Sequence, residues 1–170
     1  ERGANINSLI PYALNPTTLT KLQAAPEYKT INGLLPALQT IKDYQGAINK
    51  YGISAWFGTA RGTLSGTYGN ALSAWKSLAG LGALSGADFE LAENAVPKPG
   101  SFRSNSVAKA KIESSLKNAL DQAEFLTQRL AQNYPQAAPL LQDQLDQMKV
   151  MAYPDKYKIG SDGQVYEITK

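Results

Sequence analysis

The sequence predicts a mainly α-helical fold: a multi-helix bundle that contains an αα-hairpin and ends in a small C-terminal β-hairpin. Apolar residues recur every three or four positions after residue 105, which is the period of a helix that buries one face. Near the C-terminus the pattern changes to alternation around Asp162–Gly163, a dipeptide typical of hairpin turns. A chain of 170 residues is the size of a single domain with an appendage. We therefore predict a helical assembly domain over residues 1–154 and a β-hairpin tail over 155–170.

The N-terminal residues 1–16 are predicted to form an irregular arm, because asparagine and proline interrupt any regular pattern there. Thr17 is a candidate N-cap for a short first helix. We expect that helix to end at Ala25, because Pro26 follows and the residue before a proline is disfavoured in helical backbone.

A second helix is predicted to begin at Tyr28 or Asn32 and to end at Lys50. Pro36 would lie in its first turn, where the missing N–H of proline does no harm. Gly52 follows as a C-terminal stop. The apolar residues at helical spacing, which should face the core, are Leu34, Leu38, Ile41 and Ile48.

The glycine-rich segment from Gly58 to Gly66 allows more than one structure. The four glycines between Gly58 and Gly69 would cost a helix roughly 4 kcal/mol relative to alanine, so we predict a loop over Gly58–Gly66 and a helix over Thr67–Gly80. The alternative is a helix whose glycines, four residues apart, form a close packing interface in a soluble assembly. A phosphate-binding loop is disfavoured, because the Lys-Ser/Thr ending is absent and no strand is predicted before the segment.

Large side chains adjoin this glycine-rich segment. Trp56 and Phe57 precede it, and Arg61 lies within it. Two interpretations are open: the aromatic side chains fill the core, or they anchor an interface, where Trp, Tyr and Arg contribute much of the binding energy. The candidate interaction residues are Trp56, Phe57, Gly58, Arg61, Gly62 and Gly66.

Residues 75–99 specify a helix end, a second capped helix and a stop at proline. Gly80 and Gly82 end one helix, Ser85 caps the next, and Pro97 ends it before a stiff connector over 97–100. Negative charge is favourable in the first turns of a helix. Three acidic residues lie near the start of this second helix: Asp88, Glu90 and Glu93. The preference for negative charge explains them better than a catalytic role does. The alternative is an enzyme that uses these carboxylates.

Residues 105–133 carry the strongest helical pattern of the chain. Their apolar spacing alternates between four and three, which predicts a seam for helix packing, formed by Ile112, Leu116, Ala119, Ala123, Leu126 and Leu130. A second face alternates in charge and is predicted to be solvated; it comprises Lys109, Glu113, Lys117 and Asp121. After Tyr134–Pro135 a further helix over 136–152 should complete an αα-hairpin, with a core face of Leu141, Leu145, Met148 and Ala152.

Composition excludes several kinds of chemistry. Cysteine and histidine are absent from the sequence, so disulfides, thiolate zinc sites and histidine-dependent catalysis cannot occur within this chain. We therefore expect no enzyme activity, no cofactor and no metal site. The net charge is only +3 and is dispersed, which predicts at most weak, salt-sensitive contact with DNA.

The sequence begins at Glu1, and we interpret it as part of a longer protein. It shows no charged segment followed by an apolar run of the kind that forms a signal peptide. Its longest uncharged run, Gly3–Thr20, contains two prolines and is not predicted to span a membrane.

Three features follow one another between Leu64 and Gln144: a helix that ends in KSL, the sequence GALSGADFELAENAVP, and a long helix with its return. This pattern resembles the C-terminal region of large virion proteins of tailed bacteriophages, which travel inside the particle and act in genome ejection or in the tail. Gly66–Thr67 matches the Gly-Thr pair that commonly starts the first of these helices in that family.

The resemblance implies a structural or assembly module of a bacteriophage particle, within a longer internal, ejection or tail protein. Its partners would be other virion proteins or copies of itself, and its location the particle interior or the tail. The resemblance transfers no catalytic residue. The alternative hypothesis is a cellular helical adaptor or binding module of a secretion system or envelope.

Overall fold

A computed structural model describes residues 14–78, 94–101 and 104–168. Within these residues the fold is mainly α-helical with a two-stranded antiparallel sheet at the C-terminus, as the sequence predicts. The elements in chain order are α1 (Pro16–Ala24), α2 (Pro26–Tyr51), α3 (Gly58–Leu78), α4 (Asn105–Asn133), a 3₁₀ turn (Pro135–Ala137), α5 (Ala138–Ala152), β1 (Tyr157–Ile159) and β2 (Val165–Glu167).

The chain divides into two compact units. Unit one comprises the residues up to Asn32 together with those from Leu120 onward, and unit two comprises Gly33–Ala119. The two boundaries fall inside α2 and α4, so each of these helices contributes residues to both units. The domain boundary that the sequence suggests after residue 154 stays a prediction.

The first helix is capped by Asn15 and not by Thr17. The Asn15 Oδ1 accepts a hydrogen bond from the Thr17 N–H at 2.8 Å. Pro16 occupies the first helical position, where its lack of an N–H costs nothing. The last residue of the predicted irregular arm 1–16 is therefore helical, and residues 1–13 of that arm lie outside the described residues.

The second helix is longer than predicted. α2 begins at Pro26 and continues through Pro36, which lies inside the helix and not in its first turn. A proline in a helix interior costs about 3 kcal/mol. Leu34 and Leu38 on either side of it are fully buried, and each buried leucine contributes about 1.5–3 kcal/mol, which offsets that cost. The predicted core face of this helix is confirmed: Leu34, Leu38, Ile41 and Ile48 are all buried.

The third helix contradicts the predicted loop over Gly58–Gly66. α3 begins at Gly58, so the Gly66–Thr67 pair lies within the helix and does not start it. Leu64 and Ala71 on this helix are fully buried. The intrinsic cost of the glycines by itself favours a loop, whereas burial of the apolar face stabilises the helix by a comparable amount.

The fourth helix has the bounds that the sequence predicts. Its seam residues are buried except Leu126, which is half-buried, and its alternating charged face is exposed. A 3₁₀ turn that starts at Pro135 leads into α5, which begins at Ala138, two residues later than predicted. The predicted core residues of α5 are buried: Leu141, Leu145, Met148 and Ala152.

The predicted C-terminal hairpin is confirmed. β1 and β2 pair antiparallel, with Tyr157 opposite Glu167. Gly163 has φ +80°, the left-handed conformation that the turn requires. The Tyr157 N–H donates to the Tyr153 carbonyl at 3.0 Å, which joins β1 to the end of α5.

The predicted capped helix before Pro97 lies largely outside the described residues. This applies to the cap at Ser85 and to the acids Asp88, Glu90 and Glu93. Val96 and Pro97, which follow, are buried.

Candidate functional site

The turn between α2 and α3 and the segment 97–101 together form one surface of unit two. We name this the docking surface and define it by Trp56, Phe57, Arg61, Lys98 and Gly100. Three of these residues were predicted from the sequence as interaction residues, and the structure adds Lys98 and Gly100.

The turn that carries Trp56 is held by a distant part of the chain. Gly52 ends α2 with φ +78°, and its N–H donates to the Ile48 carbonyl at 2.8 Å. Ile53 is fully buried, and its N–H donates to Oδ1 of Asn105 at 2.8 Å. Because Asn105 is 52 residues further along the sequence, tertiary structure fixes the path of this turn.

The segment 97–101 is joined to the turn through its backbone. The Gly100 N–H donates to the Ile53 carbonyl at 2.7 Å. Gly100 has φ +73°, and a Cβ at this position would stand 3.3 Å from the six-membered ring of the Trp56 indole. The indole therefore packs directly on the Gly100 backbone. The left-handed conformation favours glycine here, and a side chain at this position would have to displace the indole by a few tenths of an ångström.

A buried tyrosine anchors the same segment. The Tyr44 hydroxyl donates to the Pro97 carbonyl at 2.5 Å, and its ring centroid lies 5.7 Å from that of Tyr68. Burial and, to a smaller extent, the Tyr68 phenol raise the pKa of Tyr44, so it remains a neutral donor. Ser115 Oγ donates to the Ala95 carbonyl at 3.1 Å. The backbone is thus bonded on both sides of the exposed Lys98.

The two aromatic side chains of the turn are exposed. Trp56 retains 49% of its accessible surface and Phe57 retains 87%. The interpretation that they fill the core is therefore wrong, and the interpretation that they anchor an interface stays a prediction. A partner that covered Phe57 completely would gain about 1.5–3 kcal/mol from that side chain.

A small pocket beside Trp56 has cationic lining. Its volume is about 150 Å³, and among the described residues the charged ones that line it are Arg61 and Lys98. Nη1 of Arg61 donates to the Trp56 carbonyl at 3.3 Å. Between Asp43 and Asp88 the sequence contains no carboxylate, so no acid on α3 neutralises these cations.

The predicted interaction glycines occupy the exposed side of the first turns of α3. Gly58 begins the helix with φ +70°. At Gly62 and Gly66 no described atom lies within 4 Å of the position that a Cβ would take. The described part of the chain therefore does not pack closely on these two glycines. That they form a packing interface with another molecule stays a prediction.

Sequence reasoning did not identify Lys98 and Gly100. The run of residues 97–100 was interpreted as a stiff connector, which its two prolines indicate. A glycine after such a run does indicate a left-handed backbone. Its contact with Trp56, however, depends on the folding of residues far apart in sequence, and no local pattern reports it.

Two carboxylates outside the docking surface, Glu27 and Asp43, have structural partners. Glu27 lies 3.7 Å from Arg129, and Asp43 accepts a hydrogen bond from Gln39 at 2.8 Å. In the ranges that the structure describes, no three side chains of metal-ligating type come together. None of the helices described there is long and apolar enough to cross a membrane.

Comparison of this chain with protein-family models, curated proteins and solved structures found no match. The function is therefore inferred from the docking surface and from the sequence pattern. The docking surface combines exposed aromatic side chains with arginine, and these residue types dominate the binding energy of protein interfaces.

Proposed function

We propose that this chain is a structural assembly module of a tailed-bacteriophage particle, within a longer internal, genome-ejection or tail protein. It binds another virion protein or a copy of itself through the docking surface. The observation that carries the proposal is the exposure of Trp56 and Phe57 on a turn bonded to Gly100 and Asn105. The virion location rests on the sequence resemblance between Leu64 and Gln144.

The hydrogen bonds beneath the docking surface support a role in binding. Association costs about 0.5–1.5 kcal/mol for each flexible side chain that an interface immobilises. The Trp56 ring already packs on Gly100, and Arg61 is already bonded to the Trp56 carbonyl. For Trp56 and Arg61, folding has therefore already incurred much of the entropic cost of fixing the side chain, so binding of a partner incurs less of it.

The proposal is tested by photo-crosslinking in intact particles. Phe57 is replaced by p-benzoylphenylalanine in the full-length protein, and Phe125, which is 61% exposed on α4, is replaced in a matched control. Irradiation of purified particles should give an adduct with a virion protein, or with a second copy, from position 57 and much less adduct from position 125.

The location of the protein provides an independent criterion. The virion role is contradicted if the protein is absent from purified particles and is produced by cells that carry no prophage. That result would favour the cellular adaptor. Equal crosslinking from positions 57 and 125 in particles would leave the location intact but reject the docking surface.

A further inference from the structure

We infer that the docking surface binds an acidic, apolar segment of a partner protein. A carboxylate of the partner enters the pocket beside Arg61 and Lys98, and a neighbouring apolar side chain covers Phe57. This inference rests on the proposed function insofar as it takes the docking surface to be a site of protein binding.

The size of the pocket restricts what can enter it. Sites for small-molecule ligands and cofactors have volumes of about 300–1,000 Å³. The pocket beside Trp56 has about 150 Å³ and accommodates one side chain rather than a whole metabolite. Phe57, which follows Trp56 in sequence, is 87% exposed, so a partner that contacts this side chain as well as the pocket covers apolar surface there.

The charges of the pocket select an anion. Arg61 and Lys98 line it, and none of its lining residues in the described part of the chain is acidic. The Arg61 guanidinium has five N–H donors, one of which bonds the Trp56 carbonyl. Its remaining donors suit the paired oxygens of a carboxylate, and such charge-assisted hydrogen bonds are about twice as strong as neutral ones.

The distribution of charge along α3 favours a protein over a nucleic acid. Single-stranded nucleic acids bind grooves in which cations follow the phosphate backbone over several nucleotides. Beyond Arg61, α3 carries no charged residue until Lys76, and the intervening exposed positions include Gly62, Ser65 and Gly66. Within the described residues, the pocket can therefore pair with one or two anionic groups, and α3 provides no row of cations for a chain of phosphates.

The test measures binding through Trp56 itself. The sequence has two tryptophans, so Trp75→Phe leaves Trp56 as the only one. This protein is titrated with a random copolymer of glutamate and tyrosine, and separately with polyglutamate, a lysine–tyrosine copolymer and a single-stranded oligonucleotide. We expect saturable change in Trp56 emission with the glutamate–tyrosine copolymer, weaker binding to polyglutamate and none to the lysine–tyrosine copolymer.

Two variants with equal net charge separate the pocket from general attraction. Arg61→Gln and Lys76→Gln each remove one positive charge from α3, but only Arg61 lines the pocket. Arg61→Gln should weaken binding of the glutamate–tyrosine copolymer about tenfold, and Lys76→Gln by about twofold or less. Phe57→Ala should also weaken it about tenfold. Circular dichroism confirms that each variant retains its helices.

Several outcomes would overturn the inference. Equal weakening by Arg61→Gln and Lys76→Gln would show non-specific charge attraction, and tighter binding of the oligonucleotide would assign the surface to nucleic acid. A further outcome is that Trp56 emission depends on the concentration of the protein when no copolymer is added. If Phe57→Ala abolishes that dependence, the docking surface binds a second copy of the chain. An adduct from position 57 in particles, combined with no copolymer binding, would reject only the acidic partner and leave the proposed function standing.

Discussion

The docking surface and the C-terminal hairpin both expose large apolar side chains, but they are held in different ways. Trp56 lies on a turn in which the Ile53 N–H donates to Asn105, and these two bonded residues are 52 positions apart in sequence. Tyr166 in the hairpin, which is 46% exposed, bonds to Asp162, four residues away. A surface fixed by long-range bonds keeps its shape as long as unit two is folded, whereas a short two-stranded hairpin can open locally.

Two tyrosines illustrate this difference. The pKa of Tyr44 is raised mainly by burial, whereas the pKa of Tyr166 is raised mainly by its hydrogen bond to the Asp162 carboxylate. Both hydroxyls are donors, but only the Tyr44 hydroxyl is buried within the core. Exposure alone therefore does not identify a docking surface; the long-range hydrogen bonds beneath the exposed side chains distinguish one from a hairpin held mainly by local bonds.

The largest expected effect is that of substituting Gly100, and Gly163, which also has a left-handed backbone, provides the matched control. Gly100→Ala should lower the free energy of unfolding by about 2–5 kcal/mol, because the backbone conformation costs about 1–2 kcal/mol and overpacking against Trp56 adds about 1–3 kcal/mol. Gly163→Ala in the hairpin has the same backbone cost but open space around it. Urea unfolding monitored by helical circular dichroism should show a large loss only for Gly100→Ala. Equal losses would mean that the hairpin unfolds together with the helices.

The next largest effect distinguishes the two tyrosines. Tyr44→Phe leaves the buried Pro97 carbonyl without its donor and should cost about 1–3 kcal/mol. Tyr166→Phe removes an exposed bond and should change global stability by less than about 0.5 kcal/mol. Thermal and urea unfolding measure both values. If Tyr166→Phe proved as costly as Tyr44→Phe, the contrast between the two regions would fail.

The same tyrosine predicts a loss of stability at alkaline pH. The folded-state pKa of Tyr44 lies above its unfolded value, so its contribution is fully present below an unfolded pKa of about 10. It is lost as the pH rises towards the folded pKa, because only the unfolded chain releases the proton. Urea unfolding across this alkaline range should show a steeper decline for the native chain than for Tyr44→Phe, and parallel declines would contradict the burial of this phenol.

A smaller effect defines the edge of the docking surface. Gly62→Ala and Gly66→Ala should each raise the free energy of unfolding by about 0.5–1 kcal/mol, because alanine favours the helix and the added methyl meets open space. Binding of the glutamate–tyrosine copolymer should be unchanged in both variants. Stabilised variants that had lost assembly in particles would instead place these glycines inside an interface.

The smallest effect is confined to the hairpin. The Tyr166 hydroxyl and the Gln164 N–H both donate hydrogen bonds to the Asp162 carboxylate. These bonds lower the pKa of the carboxyl below its ordinary value, and the Tyr166 bond has the larger effect. The contribution of this carboxylate is present above the unfolded pKa and is lost as the pH falls through the folded one. NMR titration should show the pKa of Asp162 rising towards its ordinary value in Tyr166→Phe. An unchanged titration would place the main stabilisation on the backbone N–H.

The features that the sequence predicts correctly are those set by local pattern. The bounds of α4, its buried seam and the Asp162–Gly163 turn follow from side-chain period and turn chemistry within a few residues. The predicted loop over Gly58–Gly66 and the predicted position of Pro36 are wrong because burial outweighs a local preference. Leu64 is fully buried although the glycines around it disfavour a helix, and Pro36 is accommodated between two buried leucines.

The docking surface shows the same limit. Trp56, Phe57 and Arg61 could be selected from the sequence as candidates, since their residue types are those of interfaces. Whether the aromatic side chains were buried or exposed could not be decided, because both outcomes agree with the local pattern. Lys98 and Gly100 join the surface through contacts between residues far apart in sequence, such as the bond between Gly100 and Ile53 and the bond between Tyr44 and Pro97.

The bond from Ile53 to Asn105 has a consequence for the order of events during protein synthesis. Trp56 and Phe57 leave the ribosome well before Asn105, which follows Ile53 by 52 residues. Until then the turn lacks both the Asn105 side chain and the backbone of Gly100, and its aromatic residues have no fixed arrangement. A nascent chain therefore cannot present the completed surface until it has been translated beyond Asn105, and recognition of a partner is postponed until then.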